Sequence, residues 1–136
     1  VLLTVSPVRH VRDGLVENQR SKAHLIAAVH EVVRGANIHY FPAYELLMDE
    51  LRDYRFYNRD LIHPTEQAVD FVWEKFVEAW VDPLAIPVMK RVGALHKQMA
   101  HRDVRATESS GDNTNELLKE KAAALSAEYP FIQFDL

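Results

Sequence analysis

The chain has 136 residues, 48% of them hydrophobic and 26% charged, which suits one soluble globular domain with a real core. A formal net charge of −4 without basic runs argues against nucleic acid or a membrane surface as partner. No segment approaches the ~20 continuous apolar residues of a membrane span. Cysteine is absent, which excludes disulfides, thiolate metal sites and a cysteine nucleophile, and says nothing about compartment.

Residues 1–6 (VLLTVS) are apolar and rich in β-branched side chains, and Pro7 ends the run. They read as a strand buried on both faces. No initiator Met, basic leader or small-residue cleavage site precedes them, so the expectation is a fragment that begins inside a larger fold. Residues 7–20 are a polar loop with Gly14 as its turn residue. Ser21 is then placed to cap a helix that runs to about Arg34. Its stripe is Leu25, Val29 and Val32, with Ile26 and Val33 beside it and Gly35 just past the end.

Residues 37–41 (NIHYF) are a second strand, closed by Pro42. Strand, helix, strand predicts a right-handed crossover with parallel strands. Two strands alone leave faces and edges open, so further strands must come from outside this sequence or from a partner. Open strands favour self-association or instability, so a homo-oligomer is one of two outcomes the sequence leaves open.

A short helix at about Ala43–Arg52 puts Leu47 and Leu51 inward, and an aromatic-rich loop fills residues 53–63. Pro64 opens the strongest helix of the chain, with Val69, Val72, Phe76 and Trp80 on its stripe and Ala68, Phe71 and Trp73 widening the face. The character changes at Asp82-Pro83, and Pro87 disturbs anything helical before it. Val88, Val92, Leu95 and Met99 form the next stripe. Residues 106–115 are a polar turn, and Glu116–Glu128 is a further helix. The tail YPFIQF is expected as a short strand or an anchor that docks elsewhere.

The stretch with chemistry is Asp60-Leu61-Ile62-His63-Pro64. A carboxylate three residues before an imidazole can fold back and orient it through one ring nitrogen, leaving the other for general-base work. With Pro64 at the first helical position, His63 is the expected N-cap. There the helix dipole disfavours the imidazolium while Asp60 favours it. The plain alternative is an ordinary loop pair at a helix start. No nucleophile accompanies the pair: no Gly-x-Ser-x-Gly elbow occurs, and Ser109 and Ser110 lie in the polar turn. Ser6 ends a strand, but Pro7 removes the following amide that an oxyanion hole would use.

Arg9, His10 and Asn18 lie in the loop after the first strand, either meeting a substrate carbonyl or carboxylate or standing as ordinary polar loop residues. Arg52, Asp53, Arg55 and Tyr57 crowd before Asp60, either as a scaffold for the loop or with Arg55 or Tyr57 touching substrate. Among the seven histidines no pair shares a helix face at i, i+4 and no His-Glu-x-x-His occurs, so neither metal nor other cofactor is expected.

Several stretches in order carry a family resemblance: LTVSPV (3–8), Glu17-Asn18 with Ser21-Lys22-Ala23, YFPAYE (40–45), DELRDYRFY (49–57) and Asp60-x-x-His63-Pro64. Over roughly residues 2–80 the chain resembles the bacterial GSCFA family, which is similar to the wider SGNH/GDSL hydrolases. The resemblance implies a parallel sheet between layers of helices, with catalytic groups at the C-terminal strand ends. It implies His63 as the base that activates a serine and Asp60 as the residue that orients it. The Gly-Ser-Cys-Phe-Ala motif and the glycine and asparagine blocks of the oxyanion hole have no match.

The expectation is therefore part of a three-layer α/β/α fold: residues 1–81 the C-terminal part of the domain, residues 82–136 a helical hairpin packed on it. Its function would be that of a piece of a serine esterase acting on acyl or glycan esters, inactive alone for want of a nucleophile. A non-catalytic carbohydrate- or protein-binding module is the competing expectation. Compartment is not legible.

Overall fold

The computed structural model describes residues 1–35, 37–105 and 112–134. The protein is mostly helical, with one small parallel sheet and five α-helices among the described residues. It forms two compact units, Val1–Trp80 and Val81–Leu136.

In the first unit β1 (Leu2–Thr4) pairs in parallel with β2 (His39–Phe41), Leu2 opposite His39 and Thr4 opposite Phe41. Both strands are shorter than their apolar runs. The expected burial of β1 on both faces is corrected. Leu2 and Thr4 are exposed and Leu3 is half-buried; only Val5, just past the strand, is fully enclosed. The reason lies in which strand is covered. On the face shared by Leu2, Thr4, His39 and Phe41, the helical rings lie over β2: Phe76 meets Phe41 edge-on at 5.2 Å and Trp80 meets His39 at 5.2 Å. On the other face His30 packs edge-on against Tyr40 at 5.1 Å.

The connecting helix α1 (Leu15–Val32) starts six residues before the expected Ser21 cap. Gly14, at φ 91°, makes the left-handed turn that launches it, and its carbonyl accepts from Asn18 N at 3.0 Å. A backbone acceptor replaces the side-chain cap. The inward stripe also differs from the expected one. Leu25 and Val32 are about half exposed, whereas Asn18 and Lys22 are buried, with Ile26, Val29 and Val33 half-buried behind them. Positions 18, 22, 26, 29 and 33 follow helical spacing, so the buried face is polar in its first half and apolar in its second.

After β2, α2 (Ala43–Glu45) continues into a π-helical turn, Leu46–Leu51, closed by Arg52 N on Leu47 O at 3.2 Å. Arg52 ends it in the left-handed region, φ 42°. A 3₁₀ turn follows at Tyr54–Phe56, capped by the Asp53 carboxylate on Arg55 N. Leu47, Phe56, Tyr57 and Ala68 then close one core, with Leu51 against it. Ala68 belongs to α3 (Glu66–Trp80), and its complete burial brings that helix close to the loop before it. Val69 and Trp73, expected inside, are about half exposed, with Trp73 stacked on Phe76 at 5.4 Å.

The second unit is a helical hairpin. Asp82 caps a 3₁₀ turn, Pro83–Ala85, that runs directly into α4 (Ile86–Arg105). Pro87 lies in the first turn of α4, where its missing N–H costs no helical bond. Leu95 packs on Leu118, Ala122 and Leu125 of α5 (Asp112–Glu128), with Val92, Met99, Tyr129 and Phe134 around them. Arg91 grips Glu128 with two bonds, at 2.8 and 3.1 Å. The tail forms no strand up to Phe134; it turns at Tyr129, and Phe134 returns to the hairpin beside His96. Residues 106–111 of the expected polar turn, including Ser109 and Ser110, lie outside the described residues; α5 begins at Asp112 rather than Glu116. No helix among the described residues is long and apolar enough to cross a membrane.

Candidate functional site

The Asp60–His63 loop is built as a closed hairpin. At its base Tyr57 bridges Pro64 in antiparallel fashion, with Asn58 N on His63 O at 2.8 Å and Thr65 N on Phe56 O at 2.9 Å. Asn58 starts the turn: its carbonyl accepts from Leu61 N at 2.9 Å and its Nδ2 donates to Pro64 O at 3.2 Å. Leu61 takes φ 56°, an uncommon value for a branched side chain. That turn brings the next two amides back over Asp60. Asp60 Oδ1 accepts from Ile62 N at 2.9 Å and His63 N at 3.1 Å, and Oδ2 meets His63 Nδ1 at 2.7 Å.

Three bonds favour the ionised carboxylate. The imidazole is the largest influence and the two amides follow, together lowering Asp60 from an ordinary 3.8 to about 2. An ionised carboxylate only accepts, so Nδ1 carries a ring proton, and in the neutral ring the lone pair is on Nε2. The His63 side chain is 60% exposed, so that lone pair is open to a donor. Because the folded carboxyl titrates below its unfolded value, the contact is complete above about pH 4 and is lost as pH falls through about 2. Carbon-13 NMR should give Asp60 a midpoint near 2, raised towards 3.8 in His63→Ala; a native midpoint already at 3.8 would contradict this geometry.

His63 is not the helix cap. Helix α3 starts at Glu66, and Thr65 caps it through Oγ1 on Ala68 N at 3.4 Å and its carbonyl on Val69 N at 3.0 Å. Pro64 belongs to the hairpin bridge instead of the first helical position. The imidazole therefore lies ahead of the first turn, where the dipole acts most strongly, and among the described residues it pairs with the Asp60 carboxylate.

Arg9 reaches this loop directly. Its amide donates to Ile62 O at 3.3 Å, its Nη1 donates to Leu61 O at 3.0 Å, and its guanidinium lies 4.1 Å from the centre of the Tyr57 ring. Tyr57 is buried, with its hydroxyl against Met48 Sδ at 3.3 Å. Asn18 is also buried, its Oδ1 accepting from His10 N at 2.8 Å. Lys22, for which the sequence suggested no role, is buried and donates to Ser6 O. Burial pushes its ammonium below the ordinary lysine value. Its helical spacing from Asn18 was the available signal.

The His10 ring lies 3.9 Å from Asp13 and helps to line an open cleft of about 300 Å³ with Glu17, Arg20, Ser21 and His24. Asp60 and His63 are not in that lining. Arg55 is 73% exposed and turned to Asp53, 3.8 Å away, and the Phe56 ring. Ser6 Oγ accepts from Val8 N at 3.2 Å, which makes a local turn. Among the described residues no hydroxyl hydrogen-bonds His63, and no three His, Asp or Glu side chains gather as metal ligands.

The model of the GSCFA family matches residues 1–76, more than half of the chain, and includes the whole Asp60–Pro64 hairpin. The chain belongs to the GSCFA family. The GSCFA match takes in β1, α1, β2 and the loop, and ends within α3. Comparison with curated proteins and with solved structures finds no match.

Proposed function

We propose that this chain supplies the base and its orienting carboxylate to an SGNH-like ester hydrolase of acyl or acetyl esters. The observation that carries the reading is the 2.7 Å contact between Asp60 Oδ2 and His63 Nδ1, in a chain of the GSCFA family. The contact supports a neutral ring with its proton on Nδ1 and its lone pair on Nε2, as a general base requires. His63 Nε2 takes the proton of a serine hydroxyl as its oxygen attacks the ester carbonyl. The Asp60 carboxylate stabilises the resulting imidazolium, which then gives the proton to the departing alkoxide. Water, deprotonated by the same nitrogen, attacks the acyl-serine carbonyl, and the imidazolium returns that proton to the departing serine oxygen, releasing the acid and restoring both groups.

The serine and the oxyanion donors come, in this reading, from sequence outside these residues. The alternating ring contacts of β2, His39 and Phe41 with α3 and Tyr40 with α1, support an α/β/α sandwich as the host. His10 and Arg55 are the exposed members of the substrate-side set. Arg9, Asn18 and Tyr57 are engaged with the protein itself.

The test joins this chain to the preceding sequence of its natural gene and assays p-nitrophenyl acetate and an acetylated sugar. Hydrolysis should fall by about 10²–10⁴-fold in His63→Ala. Hydrolysis that is absent, or indifferent to His63, overturns the reading and leaves a non-catalytic binding module.

A further inference from the structure

The loop that bears His63 is exposed, yet general-base work needs the ring held in one orientation. The Asp60 contact orients the ring only while Leu61, at φ 56°, keeps the loop in shape. That shape needs support from outside the loop, and Arg9, within residues 6–10, bonds the carbonyls of Leu61 and Ile62. Ser6, at the start of that segment, has its carbonyl held by Lys22 Nζ. His10, at its end, has its amide held by Asn18 Oδ1. Between them Arg9 takes the carbonyls of Leu61 and Ile62, the two residues between Asp60 and His63.

We propose that Asn18 and Lys22 are positioning residues for His63: from the buried face of α1 they brace both ends of the 6–10 segment, whose Arg9 clamps the Asp60–His63 loop. The burial of the two residues is the second line of argument. An amide and an ammonium are costly to bury unless each has a partner, and here each partner is a backbone atom of the same segment. Aliphatic side chains would serve packing alone at these positions. The buried polar pair instead fixes backbone atoms, which apolar contacts do not orient.

The inference rests on Asp60 and His63 acting as an acid–base pair, but its test needs no turnover. Ring-¹⁵N histidine spectra at neutral pH, with His63 assigned by loss of its signals in His63→Gln, report which nitrogen bears the proton. The unaltered protein should show the Nδ1–H form at His63. Lys22→Met keeps the buried stem and deletes the donor; Asn18→Leu deletes the acceptor. Both should shift the His63 signals towards the averaged tautomers of a free imidazole while the histidines outside residues 6–10 keep theirs. Asn18→Asp retains an acceptor and should preserve the native signals.

Unchanged His63 signals in folded Lys22→Met and Asn18→Leu overturn the proposal, as do averaged tautomers in the unaltered protein. If those two variants fail to fold, Arg9→Ala decides: the clamp is supported by averaging at His63 and overturned by native signals. Loss of hydrolysis dependence on His63 would overturn the esterase reading while leaving this measurement intact.

Discussion

If His63 is the base of an ester hydrolase, as proposed, replacing Asp60 with asparagine should reduce ester turnover by about 10³–10⁴-fold, with the fold retained. The carboxylate has two jobs on two oxygens. Oδ1 takes the Ile62 and His63 amides, and Oδ2 takes the His63 ring. Asparagine offers one acceptor and one donor. If its oxygen stays on the two amides, its NH₂ faces Nδ1, which must then accept. The ring proton moves to Nε2, and the atom that should receive the serine proton no longer has a free lone pair. Asp60→Ala removes the constraint without imposing the wrong tautomer, so it should retain more activity than Asp60→Asn. The order of the two kcat values is the check: an asparagine variant more active than the alanine variant would show that Asp60 does not set the tautomer. Thermal melts of both should stay close to the parent, because the pair is solvated.

The Asp60–His63 contact was legible because it is local. A carboxylate with two following amides and an imidazole at i+3 closes within four residues. The strand–helix–strand order was legible for a similar reason, since two β-branched runs flank a long helical segment. The inner face of α1 was not. An apolar stripe at Leu25, Val29 and Val32 competes with a stripe whose first members are Asn18 and Lys22, and hydropathy assigns those two to solvent. They are buried because their partners are backbone atoms of Ser6 and His10, and a backbone acceptor has no letter in the sequence. The same holds for Arg9, which reads as a free guanidinium at the mouth of a site and gives its guanidinium to Leu61 O and its amide to Ile62 O. The start of α1 was displaced because Gly14 O, instead of a serine hydroxyl, takes the first amide. Thr65 displaced His63 as the cap of α3 because the hairpin bridge captures Pro64 before the helix begins. The π-helical turn at Leu46–Leu51 has no signature in a 3.6-residue period.

The stability of the hairpin rests on a core that lies under its base, and Leu47 is the place to test it. Leu47 is 2% exposed and packs with Phe56, Tyr57 and Ala68, which come from the approach to the loop and from α3. Leu47→Ala should destabilise by about 2–5 kcal/mol, because the lost transfer energy is joined by a cavity that rigid neighbours close only in part. A unit of this size should lose on the order of 10 °C or more in melting temperature. Ala68→Leu tests the opposite sign of the same packing. No space exists at a fully buried alanine, so added methylenes push α3 away from Phe56 and Tyr57 at a cost of about 1–3 kcal/mol. Tyr57 carries both the bridge to Pro64 and the ring under Arg9, so the two substitutions should loosen the loop before the sheet. Hydrogen exchange reads this directly. The amides of Asn58 and Thr65, bonded to His63 and Phe56 carbonyls, should lose protection in both variants, while His39 N on Val1 O stays protected. Uniform loss at all three amides would instead mean that hairpin and sheet unfold as one unit, and that Leu47 supports the whole first unit rather than the base of the site.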